Sequence, residues 1–407
     1  MDTSPAPRRF LSSFVLFWCR DALFAASGAF MSASILQTLY LRLGISAQTV
    51  SFLSAFSQAV NVTFSLLFAN ITKRYAGTRR ATTLLCFSHA VIIAMYLVLC
   101  LAGDLPVSAA VAAAFLLTSA ADIIIAVRAI FSYKLVCEVI HAGDYSMYAS
   151  VCGIVNGVFT ISIGLFLPFM FARFDFMRVT ALAILLGAVL MAVSGLLTSR
   201  LPLLPGSELP PEAPGRMELI NREVLRDDSF RKMALPNFMR GIGHGILAVI
   251  PLLAIRYGGL TEDNASIIVS LTNIALFAGS AAYAFLRRRS VRASALALTG
   301  SLLFLLLAPA LSGSAPRFIV LYTLAHLGYQ FISLAIPDIV YNTVGQENIA
   351  AFNTWRMSLT YLGSVLSTAL IGILIERVDG RLIGIVSAAA MVYASAAYFL
   401  YFRKRHI

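Results

Sequence analysis

The segment RLPLLPGSELPPEAPGRMELINREVLRDDSFRK, residues 200–232, is the one long polar stretch in an otherwise apolar chain. It is rich in proline, which favours an extended, semi-rigid linker. Its prolines are Pro202, Pro205, Pro210, Pro211 and Pro214. Residues 217–225 predict a short surface helix. We therefore predict three parts: an N-terminal half (1–199), a linker (200–232) and a C-terminal half (233–407).

The composition on both sides of this segment excludes an ordinary soluble protein. The 407 residues are 59% hydrophobic and only 12% charged, and the mean hydropathy is +0.84. Soluble chains have about 25% charged residues. A net charge of +12 is compatible with nucleic-acid binding, but the basic residues lie between apolar runs and predict no nucleic-acid partner. The five cysteines are scattered singly and predict packing roles rather than a metal site.

Apolar runs long enough to cross a bilayer core of about 30 Å recur along the chain. They predict six transmembrane helices before the linker and six after it. The predicted spans are 10–41, 47–71, 81–102, 105–133, 145–172, 179–199, 233–255, 264–286, 293–312, 318–344, 348–375 and 382–402. The first run is too long for the core of a signal peptide, so we predict an uncleaved helix.

Lysine and arginine set the predicted orientation. With the N-terminus inside, the inner segments carry 20 of these residues and the outer loops 7. Positive charge concentrates on the cytoplasmic side of membrane proteins. We therefore predict a multi-pass protein of the cell membrane with both termini in the cytoplasm.

The two halves share a weak internal repeat. The stretch LYLRLGISAQTV (39–50) ends the first predicted span, and the similar LLAIRYGGLTEDNA (252–265) ends the seventh. Basic turns, KRYAGTRR (73–80) and LRRRSVR (286–292), follow the second and eighth spans. Repeated halves of this kind are typical of transporters.

Together these features resemble the major facilitator superfamily. The resemblance covers the whole chain in topology, and in the turn ANITKRYAGTRR (69–80) Gly77 and the pair Arg79–Arg80 match the family's signature. The family's acidic residue is missing there, and Lys73 stands near its place. The resemblance implies an all-α membrane fold of two six-helix bundles, with helices 1, 4, 7 and 10 facing a central cavity.

Charged residues inside the predicted spans are candidates for function, because each costs about 2.5–3.5 kcal/mol near the bilayer centre. In the first half, Arg20, Asp21 and Asp122 lie about 15–17 Å from the cytoplasmic helix ends, and Arg128 about 8 Å. Adjacent helix residues point about 100° apart, so we expect Arg20 and Asp21 not to pair with each other. We predict a closed cluster of these four charges.

In the second half, Arg240, Asp338 and Arg356 lie at about 9–12 Å, two positive charges against one negative. We predict that Asp338 pairs with Arg356, either in the transport site or as a structural latch, and that Arg240 binds an anionic substrate group. Gly241, Gly243 and Gly245 are expected to let the ligand approach the backbone. His244, one turn above Arg240, suits a proton switch. Arg128 and Arg356 have an alternative role as snorkelling residues.

No nucleotide-binding loop or hydrolase motif accompanies these charges, so we predict no enzyme, metal or cofactor. The prediction is a monomeric secondary active transporter of a small anionic or zwitterionic solute. Candidate substrate ligands are Arg240, Arg20, Arg128 and Arg356. Candidate proton carriers are Asp21, Asp122, His244 and Asp338. An exporter of amphipathic compounds remains an alternative, as does a lipid flippase or non-transporting receptor.

Overall fold

A computed structural model describes residues 7–68, 77–101, 105–140, 145–203, 228–289, 291–343 and 349–402. The predicted surface helix 217–225 and most of the turn 69–80 lie outside these residues. Nearly all of the described chain is helical. In the first half the helices are α1 (Pro7–Phe30), α2 (Ala33–Arg42), α3 (Ala47–Phe68), α4 (Thr78–Met95), α5 (Leu97–Leu101), α6 (Val107–Val139), α7 (Tyr145–Phe171) and α8 (Phe176–Ser199).

The second half is also almost entirely helical in its described residues. Its helices are α9 (Asp228–Ala248), α10 (Ile250–Tyr257), α11 (Ile267–Arg288), α12 (Ala293–Phe304), α13 (Leu307–Ala310), α14 (Ala315–Thr343), α15 (Ile349–Leu374) and α16 (Gly380–Phe402), with a 3₁₀ turn at Glu262–Asn264. The predicted apolar runs thus coincide with helices. The largest differences are at two ends: α6 continues to Val139 and α9 begins at Asp228, because polar residues extend a helix past its apolar core.

The chain forms two compact units. One contains Met1–Ile35 and Val60–Leu219, and the other contains Leu36–Ala59 and Ile220–Ile407. In the first unit α1 packs against α7 and α8, and α4 packs against α6 and α8. In the second unit α9 packs against α15 and α16, and α12 packs against α14 and α16. The same order of helix partners therefore recurs in both halves, as the weak sequence repeat predicts.

The first long helix of each half is broken before its C-terminal end. The break between α1 and α2 falls at Met31–Ser32, and the break between α9 and α10 falls at Val249 with a bend of 58°. Each broken helix ends near a glycine of positive φ, Gly44 (78°) and Gly259 (72°). Glycine adopts this conformation without steric cost. The similar segments 39–50 and 252–265 therefore each contain such a helix end.

Within the described residues, nine helices are long and apolar enough to cross a membrane, or ten if the bent pair α9–α10 is one span. A shorter apolar helix covers Val155–Phe171. Many of the large apolar side chains on these helices are exposed, among them Leu116, Leu84 and Leu101. Such surfaces are stable in lipid rather than water. The protein is a multi-pass integral membrane protein.

Candidate functional site

A buried ion pair occupies the middle of α1. Nη1 of Arg20 lies 2.8 Å from Oδ1 of Asp21, and Nη2 of Arg20 donates to Ser132 Oγ at 3.0 Å. Asp21 Oδ2 accepts from Cys152 Sγ at 3.4 Å. Ser194 of α8 donates to the Arg20 carbonyl at 3.1 Å and fixes α1 at this level. Helices α1, α6, α7 and α8 therefore all contribute to the surroundings of this pair.

The prediction that Arg20 and Asp21 do not pair was wrong. Their Cα–Cβ bonds diverge along the helix, but the three-methylene stem of arginine lets the guanidinium fold back to its neighbour. Arg20 is 5% exposed, so its charge has little access to water and the adjacent carboxylate compensates it.

Arg128 of α6 joins this region without a described carboxylate contact of its own. Its guanidinium carbon lies 3.9 Å from the centre of the Phe24 ring, and Nη1 lies 3.4 Å from the Met191 sulfur. It also interacts electrostatically with Arg20 and Asp21. The structure thus brings three of the four predicted cluster members together.

Asp122, the fourth member, is buried on the same helix, six residues before Arg128. This spacing corresponds to about 9 Å along the axis. Its role in the cluster stays a prediction.

The burial of Arg128 and Arg356 argues against the snorkelling alternative. Arg128 and Arg356 are 5% and 4% exposed, so protein rather than water surrounds both.

The second half contains a buried arginine with unused donors. Arg240 of α9 is 6% exposed. Its Nε and Nη1 have no hydrogen-bond partner among the described residues. Arg356 of α15 is also buried, and both guanidinium groups interact electrostatically with Tyr361 and Tyr398. Two positive side chains therefore act on the same pair of tyrosines.

Asp338 has a described partner that the sequence did not indicate. Its Oδ2 lies 2.8 Å from Nε of Arg287 and accepts from the Tyr283 hydroxyl at 2.7 Å. The predicted partner was Arg356. We counted Arg287 in the cytoplasmic turn, but α11 extends to Arg288 and carries it. Arg287 is therefore one partner of Asp338 in the described part of the chain, and the pairing of Asp338 with Arg356 stays a prediction.

His244 lies one turn after Arg240 on α9. Its Nδ1 is 3.3 Å from Ser364 Oγ, and its ring centre is 5.4 Å from that of Tyr329. His326 also packs against Tyr329, with ring centres again 5.4 Å apart. The predicted proton switch thus adjoins a small group of aromatic and polar side chains from α14 and α15.

The glycines near Arg240 do not serve the predicted purpose. A Cβ on Gly241 would stand 1.9 Å from the Thr360 carbonyl oxygen, and one on Gly245 would stand 2.7 Å from that of Ser364. One on Gly243 would stand 2.8 Å from the carbonyl oxygen of residue 387. Neighbouring helices α15 and α16 already fill this space. These glycines allow close helix packing, as small residues four apart commonly do in membranes, and not the approach of a ligand.

Sequence reasoning also missed the residues that surround His244. Gln58 of α3 accepts a hydrogen bond from Ser364 Oγ at 2.5 Å, and its Nε2 lies 3.2 Å from Thr368 Oγ1. An amide in an apolar span was the available signal, since such a group needs partners inside the protein.

Comparison with solved structures places this fold. The chain superimposes on a point mutant of the nucleoside transporter NupG with a TM-score of 0.77 at 12% identity, covering 96% of this chain and 100% of that one. The TM-score is 0.72 and the identity 14% for a POT family transporter in complex with a thioalcohol-conjugated peptide, with 96% of each chain covered. For a bacterial homolog of the human lysosomal transporter Spinster the TM-score is 0.65 and the identity 11%, with 98% of each chain covered.

These proteins share one architecture, so the chain has the fold of the major facilitator superfamily transporters. At such identities the likeness shows the fold alone. No protein-family model matches the sequence. No curated protein matches it either.

Proposed function

We propose that this protein is a secondary active transporter that moves a small solute across the membrane by alternating access. Twelve transmembrane helices would form two six-helix bundles, 1–199 and 233–407, joined by the cytoplasmic linker 200–232. The superfamily fold and the repeated helix partners in the two halves support this proposal. Repeated halves of this kind are a common design of secondary transporters.

The substrate is an anion or zwitterion whose carboxylate or phosphate binds Arg240. The observation that carries this proposal is the pair of Arg240 donors, Nε and Nη1, which are buried without a hydrogen-bond partner among the described residues. A buried charged donor left unsatisfied is costly, and an anionic group that accepts from Nε or from Nη1 forms a charge-assisted hydrogen bond there. Arg356, near the same tyrosines, supplements the positive field there.

Arg20 and Arg128 are the candidate substrate ligands of the first half. Arg20 carries its own carboxylate partner, whereas Arg128 is held by an aromatic ring and a sulfur. A guanidinium over an aromatic face keeps its edge donors for another group. Of the two, Arg128 is the better candidate for a second contact to the solute.

A proton gradient supplies the energy. Among the proposed carriers, Asp21 has a side chain that is 16% exposed and an ion pair that its own protonation would break. Protonating this carboxylate would release Arg20 and change the contacts between α1 and α6. His244 adjoins the proposed substrate ligand Arg240, while Asp122 and Asp338 are further candidates.

Solutes of this chemistry occur among the structural neighbours. One POT family transporter is described in complex with 5-aminolevulinic acid, which carries an amine and a carboxylate. NupG is a nucleoside transporter, and nucleosides are uncharged. The unsatisfied Arg240 is the reason to favour the charged class for this chain.

Reconstitution into sealed vesicles tests the proposal. Radiolabelled amino acids, short peptides, dicarboxylates, sugar phosphates and nucleosides would be supplied with an inward proton gradient, with protein-free vesicles as the control. We expect accumulation of an anionic or zwitterionic solute that a protonophore abolishes. Efflux of amphipathic cations would instead identify an exporter, and movement of labelled lipid alone would identify a flippase.

A further inference from the structure

The side chains around His244 form a chain of hydrogen bonds that begins at Thr368. The donor and the acceptor of each bond follow from the bond that Thr368 makes. Thr368 Oγ1 donates to the Gly245 carbonyl at 3.0 Å, which uses its only hydrogen. It therefore accepts from the Gln58 amide nitrogen, 3.2 Å away. The Gln58 amide must then present its oxygen, Oε1, to Ser364.

The remaining directions follow from that orientation. Ser364 Oγ donates its only hydrogen to Gln58 Oε1 at 2.5 Å. Toward His244 the same oxygen can only accept, so the Nδ1 atom 3.3 Å away must carry a hydrogen. In the neutral imidazole the lone pair is then on Nε2.

We infer that Gln58 is a positioning residue for proton coupling: through Ser364 it holds neutral His244 with its hydrogen on Nδ1, which makes Nε2 the atom that takes the proton. The inference rests on the proposed proton role of His244. With the opposite tautomer, Nδ1 would compete with Gln58 for the Ser364 hydrogen, and one of the two acceptors would be left without a donor. Protonation at Nε2 leaves the whole chain intact.

Charged and titratable groups face His244 from several elements. They are Arg240 on α9 itself and His326 and Tyr329 on α14. Tyr361 on α15 and Tyr398 on α16 lie near Arg240 rather than His244. The nearest cation, Arg240, opposes a second positive charge on the imidazole. An anion bound to Arg240 removes that opposition. Proton and anion should therefore bind together, as a symporter requires.

Nitrogen-15 NMR of the full-length protein, labelled at histidine and embedded in lipid nanodiscs, reads the tautomer directly. A His244→Gln sample identifies the His244 signals. In neutral wild-type protein we expect a protonated-type signal for Nδ1 and an unprotonated-type signal for Nε2. The reverse pattern in wild type would overturn the inference, without requiring any variant to fold.

Three variants test the role of Gln58. In Gln58→Leu the Ser364 hydrogen has no amide acceptor and turns to His244, so the tautomer should reverse. In Gln58→Glu a carboxyl oxygen accepts in its place, and the wild-type pattern should return. Gln37→Leu is the matched control, because Gln37 Nε2 donates to Ser54 and to the Ala248 carbonyl instead. An unchanged tautomer in Gln58→Leu would contradict the inference. Failure of vesicle transport with the predicted tautomer present would remove the proposed function alone.

Discussion

Nε of Arg287 lies 2.8 Å from Oδ2 of Asp338, so a described carboxylate of the second half is held by an arginine near the end of α11. The Tyr283 hydroxyl donates to the same oxygen at 2.7 Å. Arg287 and Tyr283 are thus both partners of Asp338. Arg240 keeps Nε and Nη1 without a hydrogen bond among the described residues.

Removing the Arg240 charge should stabilise the ligand-free protein. In Arg240→Met, a side chain of similar length replaces a buried cation, which removes the cost of keeping that charge out of water. The melting temperature of the purified protein in detergent should therefore rise. Arg287→Met is the matched control: it leaves Asp338 uncompensated at a half-buried site and should cost about 1–2 kcal/mol. Equal destabilisation by both changes would show that Arg240 has a structural partner.

Removing one member of the Arg20–Asp21 pair should destabilise the protein more than removing both. Asp21→Asn leaves Arg20 buried with its Ser132 bond alone, and we expect a loss of about 2–4 kcal/mol. The double change Arg20→Met with Asp21→Leu should lose less than either single change. A double-mutant cycle in thermal melts measures the coupling. Additive losses would mean that the 2.8 Å contact adds nothing to stability.

The glycines of α9 should tolerate no side chain. Gly241→Ala places a methyl group 1.9 Å from the Thr360 carbonyl oxygen. Helices α9 and α15 must then separate, at a cost of about 3 kcal/mol or more. Gly157→Ala is the control, because nothing lies within 4 Å of its Cβ position, and alanine is the better helix former by about 1 kcal/mol. Similar expression and melting of the two variants would argue against the close packing of α9.

Impermeant thiol labelling of intact cells tests the predicted orientation. A cysteine introduced at Ser207, in the central linker, should be protected, whereas one at Ser314, in a predicted outer loop, should react. The parent protein, with its five native cysteines, gives the background. Reaction at position 207 with protection at position 314 would reverse the topology.

Much of the helical architecture was predictable from apolar runs, because a span of membrane helix needs about 20 apolar residues in sequence. The breaks were not predicted. No proline or charged residue stands at the break at Met31–Ser32. Pro251, just after the break at Val249, was a usable signal, since proline removes a helical hydrogen bond.

The sequence predicts which charged residues are buried in the candidate site, but not which of them form ion pairs with each other. The predicted charges Arg20, Asp122, Arg128, Arg240 and Arg356 are all buried. Their partners depend on side-chain reach and on which helices adjoin. The fold-back of Arg20 onto Asp21 and the reach of Arg287 to Asp338 are both effects of a long flexible stem. Spacing along one sequence does not determine either.

The most direct test of the central claim compares ligand binding in two arginine variants. A thermal-shift screen of carboxylates, phosphates, zwitterions and cations on the wild-type protein identifies the ligand, because a ligand stabilises the state it binds. Arg240→Lys keeps the charge but loses the planar fork. We predict that an anionic or zwitterionic compound stabilises the wild type, that Arg240→Lys weakens its affinity about tenfold or more, and that Arg287→Lys binds it like wild type. Wild-type affinity in Arg240→Lys, or stabilisation by cations alone, would contradict the account.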